Sequence, residues 1–83
     1  MKTLLHFSAD WCNPCKVMQP FIDDFISNNP DIDYTKINVD KNLEITKSNN
    51  VMSIPTIIAF VNGVEIKRHR GVAQLSDLNS LFD

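Results

Sequence analysis

The spacing of apolar residues changes several times along the chain, and each change marks an element. Thr3 to Ser8 is a short, mostly apolar run that meets the turn-forming residues Asp10 to Pro14, which predicts a buried strand. From about Asn13 to Asn28 the apolar positions are Val17, Met18, Phe21, Ile22, Phe25 and Ile26, a pairing repeated every four residues. That repeat describes one wide face of a helix, not the alternation of a strand. Pro20 falls inside this helix and is expected to kink it, because it removes a backbone donor and crowds the preceding turn. Asn28, Asn29 and Pro30 then end it.

Ile32 to Val39 predicts a second strand, with Ile37 and Val39 on one face and Lys36 and Asn38 on the other. Asn42 to Asn49 is weakly amphipathic through Leu43 and Ile45 and predicts a short helix. Thr56 to Val61 is β-branched and apolar, as suits a central strand. Asn62-Gly63 follows, a strong hairpin signal because both residues tolerate positive φ. Val64 to Arg70 alternates, with Val64 and Ile66 expected inward and Glu65 and Lys67 outward. After Gly71, Leu75, Leu78, Leu81 and Phe82 supply the apolar face of a last helix. The order is β-α-β-α-β-β-α. The first crossover helix implies a parallel pair of strands and the hairpin an antiparallel pair, hence an α/β fold with a mixed four-stranded sheet flanked by helices.

Composition adds limits. The chain has 83 residues, 43% hydrophobic and 22% charged, and no linker, repeat or biased segment, so residues 1–83 are read as one domain. A chain of this size buries only about 60–65% of its unfolded surface, so modest stability is expected. Eight basic and ten acidic residues give a net charge of −2, which supplies no global field for nucleic acid or an anionic membrane. The start of the chain has no secretory pattern, and no apolar run approaches a membrane span. The expectation is a cytoplasmic protein acting as a monomer, in a compartment where structural disulfides are rare.

The two cysteines, Cys12 and Cys15, are separated by two residues. A bond between them closes so small a loop that it restricts the unfolded chain little, which leaves chemistry or metal binding as the better explanation. Cys12 stands where a strand hands over to a helix, and unpaired backbone N–H groups with the positive end of the helix dipole favour a thiolate there. Pro14 fits an early helical position, where its missing N–H costs nothing. Cys15, one turn on, lies on nearly the same side. The expectation is an exposed, acidic thiol backed by a second thiol within bonding distance.

Trp11-Cys12-Asn13-Pro14-Cys15-Lys16 resembles the active-site motif of the thioredoxin family, which normally has Gly where Asn13 stands. Phe7, Ala9, Pro20 and Lys36 to Asp40 match in register. Ile54-Pro55-Thr56 is similar to the family's cis-proline loop, Asn62-Gly63 to its hairpin, and Gly71 to the glycine beside the site. The resemblance implies a redox-active Cys12–Cys15 disulfide, with no other cofactor, that reduces protein disulfides. In it Cys12 attacks the target and Cys15 resolves the mixed disulfide, with NADPH-dependent thioredoxin reductase or glutathione as electron donor in cell redox homeostasis. Trp11, Asn13, Pro14, Lys16, Ile54, Pro55 and Gly71 would form the motif and the substrate-binding surface. Pro55, if cis, would set the neighbouring backbone against the substrate chain.

The chain departs from the family pattern in several places. The family's extra strand and helix before the segment matching Leu4–Ala9 are missing, which brings the chain closer to the shorter glutaredoxin form, and Ser8 replaces a common tryptophan. His6 stands where the family has a buried aspartate that exchanges protons with the resolving cysteine. With an ordinary pKa near ~6.5, a histidine suits that work. Lys36, if close, would disfavour the imidazolium and keep His6 neutral. His6 is thus read either as proton acceptor or as a packed polar residue with water transferring the proton. Asn13 bears on the redox potential without revealing its direction.

Other readings compete. Zinc usually needs four ligands, and only His6 and His69 could join the cysteines, so no metal is expected. Lys67, Arg68, His69 and Arg70 form one basic cluster, read as protection of an edge strand in preference to a nucleic-acid patch. Met18 is assigned to the core, while Trp11 and Met52 are candidates for an apolar docking surface. Two further functions stay open: a glutaredoxin-like reductase, recharged by glutathione or dedicated to ribonucleotide reductase, and a binding subunit with incidental thiols.

Overall fold

The computed structural model describes residues 1–83. Its elements follow the expected order: β1 (Lys2–Ser8), α1 (Asn13–Ser27), β2 (Ile32–Asn38), α2 (Leu43–Ser48), β3 (Thr56–Val61), β4 (Val64–Arg70) and α3 (Leu75–Asn79). The sheet order is β2-β1-β3-β4, with β1 parallel to β2 and antiparallel to β3, and β3 antiparallel to β4. Register decides which side chains meet: across β1 and β2, Leu4 faces Tyr34 and His6 faces Lys36. The β3–β4 turn has Asn62 at φ 52° and Gly63 at φ 82°, both left-handed, as the twist of a tight hairpin requires.

Alternation along the strands separates two apolar layers. The larger holds Leu4, Met18, Ile22, Phe25, Ile32, Ile57, Ala59, Ala73, Leu78 and Leu81, and joins the sheet to α1 and α3. The smaller, on the other face, centres on Phe7, Ile37 and Ile58, with Val39, Val51 and Ile54 against it. Met18 is in the core, as expected.

Three expectations are corrected. The buried line of α1 is Cys15, Met18, Ile22 and Phe25, whereas Val17 and Phe21 are exposed. A short helix on a sheet touches it along a narrow strip, so the apolar face is narrower than the sequence suggested. On β4, Val64 and Ile66 are exposed instead of inward. Lys67 pairs with Ala59 and Glu65 with Phe60, so Ile66 is the extra residue of a bulge and the simple alternation fails there. Finally, α2 buries no residue, and Leu43 and Ile45 lie largely in solvent. Helix α1 runs without interruption past Pro20. Strand β4 is at the sheet edge, as its charges implied, and Arg68 is bound to Glu65 at 2.7 Å. No helix is long and apolar enough to cross a membrane.

Candidate active site

Cys12 is the N-cap of α1: its backbone is extended, and its sulfur accepts a hydrogen bond from the Cys15 amide at 3.2 Å. Asn13 and Pro14 form the exposed first turn, and Lys16 is exposed just beyond. Cys12 and Cys15 are joined as a disulfide with their Cα atoms 5.3 Å apart. The expectation of an exposed Cys12 sulfur does not hold for this oxidised pair, since Cys12 is 3% and Cys15 2% accessible. The bond holds both residues against Ala9, with Val39 and Ile54 alongside. Free N–H groups of the first turn favour negative charge at the cap, so breaking the bond leaves a sulfur anion best supported at Cys12.

The loop before β3 forms the facing wall. The Ile54–Pro55 peptide is cis, as the resemblance implied. The Pro55 carbonyl accepts from the Gly71 amide at 2.8 Å, and Gly71 at φ 90° takes a conformation that side chains disfavour. Beyond Gly71, the buried Ala73 amide donates to the Met18 sulfur at 3.1 Å, which ties this loop to α1. Between Trp11 and the loop lies an apolar groove of about 330 Å³, lined by Trp11, Val39, Thr46, Val51, Met52, Ser53 and Ile54. Trp11 is 67% and Met52 94% exposed, and the Trp11 indole donates to Asp40 Oδ2 at 2.8 Å.

A polar cavity of about 610 Å³ opens on the other side of the cysteines. Ser8, Asp10, Cys15, Lys16, Lys36 and Asn38 are among its lining residues. His6, two residues before Ser8 and opposite Lys36, is fully buried. Burial lowers its pKa to about 4, helped by the charge of Lys36 and opposed by that of Asp23, so the ring is neutral at ordinary pH. His6 Nδ1 is 3.1 Å from the Tyr34 hydroxyl, which also accepts from Gln19 Nε2 at 3.2 Å. Burial raises the Tyr34 pKa, the Gln19 hydrogen bond opposes the rise, and Asp23 adds to it.

The structure therefore brings Trp11 to Lys16, Ile54, Pro55 and Gly71 to one end of the sheet, with His6 and Lys36 paired one layer behind. Sequence reading missed Tyr34, Gln19, Asp23 and Asp40. Tyr34 alternates with Lys36 on β2, a signal that becomes usable once the β1–β2 register is known. No group of three or more His, Cys, Asp or Glu side chains is placed to hold a metal ion.

Comparison with known proteins is consistent with this geometry. The family model Thioredoxin matches residues 1–83. Thioredoxin-2, mitochondrial, of Schizosaccharomyces pombe is 37% identical over 80 residues, which cover 96% of this chain and 59% of the yeast protein. Thioredoxin of Mycoplasma genitalium is 36% identical over 80 residues, 96% of this chain and 78% of its own length. Among solved structures, oxidised mitochondrial thioredoxin 3 of Saccharomyces cerevisiae superposes with a TM-score of 0.91 at 32% identity, covering 99% of this chain and 77% of that one.

Proposed function

The chain belongs to the thioredoxin family, a family of thiol–disulfide oxidoreductases, and we propose that it reduces protein disulfides by dithiol exchange at Cys12 and Cys15. In the reduced protein the Cys12 thiolate attacks one sulfur of a target disulfide. The Cys12–target bond forms, the target disulfide breaks, and the second target sulfur leaves as a thiolate. The Cys15 thiolate then attacks Cys12, restoring the Cys12–Cys15 bond and releasing the first target sulfur. Two protons from solvent complete the target dithiol. The target gains two electrons and this protein loses two, which an external dithiol or thiol donor must replace.

The observation that carries the reading is the placement of the Cys12 sulfur at the cap of α1, beside the Trp11–Ile54 groove. The groove offers an extended target apolar contact with Trp11, Met52 and Ile54, next to the Pro55–Gly71 backbone pair. Asn13, Pro14 and Lys16 are the exposed turn around the reacting sulfur. His6 and Lys36 tune proton exchange at the pair from behind. The disulfide is the whole redox centre, and the protein works as a monomer in a reducing compartment, the cytoplasm.

Reduction of an insulin-like disulfide tests this. The reading expects turnover with NADPH and thioredoxin reductase, lost in Cys12→Ser. Turnover with glutathione and its reductase alone would move the chain to the glutaredoxin type. No turnover with either donor, alongside a function kept in Cys12→Ser and Cys15→Ser, would make it a binding subunit.

A further inference from the structure

Exchange at the two sulfurs leaves one set of polar contacts unexplained. A chain of hydrogen bonds leads from Asp23 and Gln19 on α1, through Tyr34 on β2, to the buried ring of His6 on β1. Gln19 Nε2 is 2.8 Å from Asp23 Oδ1 and 3.2 Å from the Tyr34 oxygen, and that oxygen is 3.1 Å from His6 Nδ1.

Donors and acceptors along the chain follow by elimination. An ionised carboxylate only accepts, so Asp23 faces the amide nitrogen of Gln19 and fixes which way that side chain points. The second hydrogen of the same nitrogen goes to the Tyr34 oxygen, which therefore accepts. The phenol has one hydrogen of its own, and His6 Nδ1 is the acceptor within reach. In the opposite arrangement Nδ1–H would donate to the phenol oxygen, and two groups, the phenol hydrogen and the buried Nε2 lone pair, would lack a partner where the first arrangement leaves one.

From this polarity we infer that His6 is held as the Nε2–H tautomer, with Gln19 and Tyr34 as the positioning residues that set it. The remaining nitrogen, Nε2, is buried and has no hydrogen-bond partner. Ser8 and Lys36, the neighbours of His6 along and across the strands, line the cavity that reaches Cys15. The inference rests on the proposal that His6 tunes proton exchange at the cysteines, and it gives that proposal a direction. With Nδ1 occupied by the phenol hydrogen and a hydrogen already on Nε2, neutral His6 has no free lone pair to offer. It does not take the Cys15 proton. Lys36 across the sheet and Asp23 on α1 are the charged groups that act on the ring.

Long-range proton–nitrogen correlation spectra of the uniformly ¹⁵N-labelled full chain, taken near neutral pH, read the tautomer directly. His69, half-buried on β4 with Nε2 3.3 Å from the Val72 carbonyl oxygen, gives a second imidazole signal for comparison. For His6 the expected pattern has hydrogen on Nε2 and a bare Nδ1. In Tyr34→Phe this preference is expected to disappear. Gln19→Leu, which frees the phenol oxygen without touching the ring, is expected to give a mixture and serves if Tyr34→Phe does not fold. Hydrogen on Nδ1 in the unmodified protein, or a pattern unchanged in both variants, overturns the inference. Insulin-disulfide turnover is measured on the same samples. Loss of turnover in the unmodified protein would strike the exchange reading alone. Normal turnover with an identical pH profile in a variant whose tautomer has changed would strike the role given to His6.

Discussion

The Ala73 amide donates to the sulfur of Met18 across 3.1 Å, both groups fully buried, and so connects the loop after Gly71 to the helix that carries the cysteines. A Met-to-Leu exchange in a core usually costs less than about 1.5 kcal/mol. Met18→Leu also strands the Ala73 N–H, and an unsatisfied buried donor costs about 1–3 kcal/mol. The expected destabilisation is therefore about 2–3 kcal/mol, measured by urea unfolding. A loss within the range of an ordinary volume-conserving swap would show that the sulfur contact contributes nothing.

Cys15→Ser is expected to accumulate a covalent adduct with a disulfide substrate, visible as a mass increase that dithiothreitol reverses. Cys12→Ser is expected to form none at a comparable rate, because Cys15 is not at the helix cap. Equal trapping by the two variants would contradict the division of labour between the sulfurs.

Trp11, the only tryptophan, is held over the groove by its indole bond to Asp40. Asp40→Ala releases it at a solvent-exposed position, so unfolding free energy should change by no more than about 0.5 kcal/mol. One hydrogen bond's worth of orientation corresponds to a rise in KM for a protein disulfide of about threefold to tenfold, with kcat little changed. An unchanged KM would remove Trp11 from the docking surface.

Acid should weaken the fold through His6. Its folded pKa of about 4 lies below the ordinary value of 6.5, so between those limits the unfolded chain binds the extra proton and stability falls as pH falls. The full loss, reached below about pH 4, amounts to about 3 kcal/mol at most. Asn keeps a polar atom near the Nδ1 position, so His6→Asn should flatten this part of the stability profile while carboxylates titrate as before. Parallel profiles for the two proteins would show that His6 is not held neutral.

Much of this is legible in the sequence. Element order, the hairpin at Asn62-Gly63, and the place of Cys12 and Cys15 at a helix start follow from local patterns: apolar period, turn residues and helix-cap chemistry; the loop at Pro55 is legible only through the family resemblance. Where the sequence misled, contact and not propensity was decisive. Val17 and Phe21 have the right spacing for a core face, yet the sheet touches only the Met18–Ile22 side of α1. On β4 a bulge at Ile66 breaks the alternation, and Val64 to Lys67 are all exposed. The partners of His6 were illegible for a related reason. Tyr34 lies 28 positions away, and only the parallel register of β1 with β2 brings it to the ring.

Helix α2, which buries nothing, has a mechanical consequence. Segments with few buried apolar contacts separate from a fold at low free energy, well before the rest of the molecule opens. Thr46 in this helix and Val51 just after it are part of one bank of the groove, whereas Trp11 on the opposite bank is pinned to Asp40. The cleft thus has one stiff side and one compliant side, and a recognition surface so built can admit clients of unlike contour without disturbing the sulfurs.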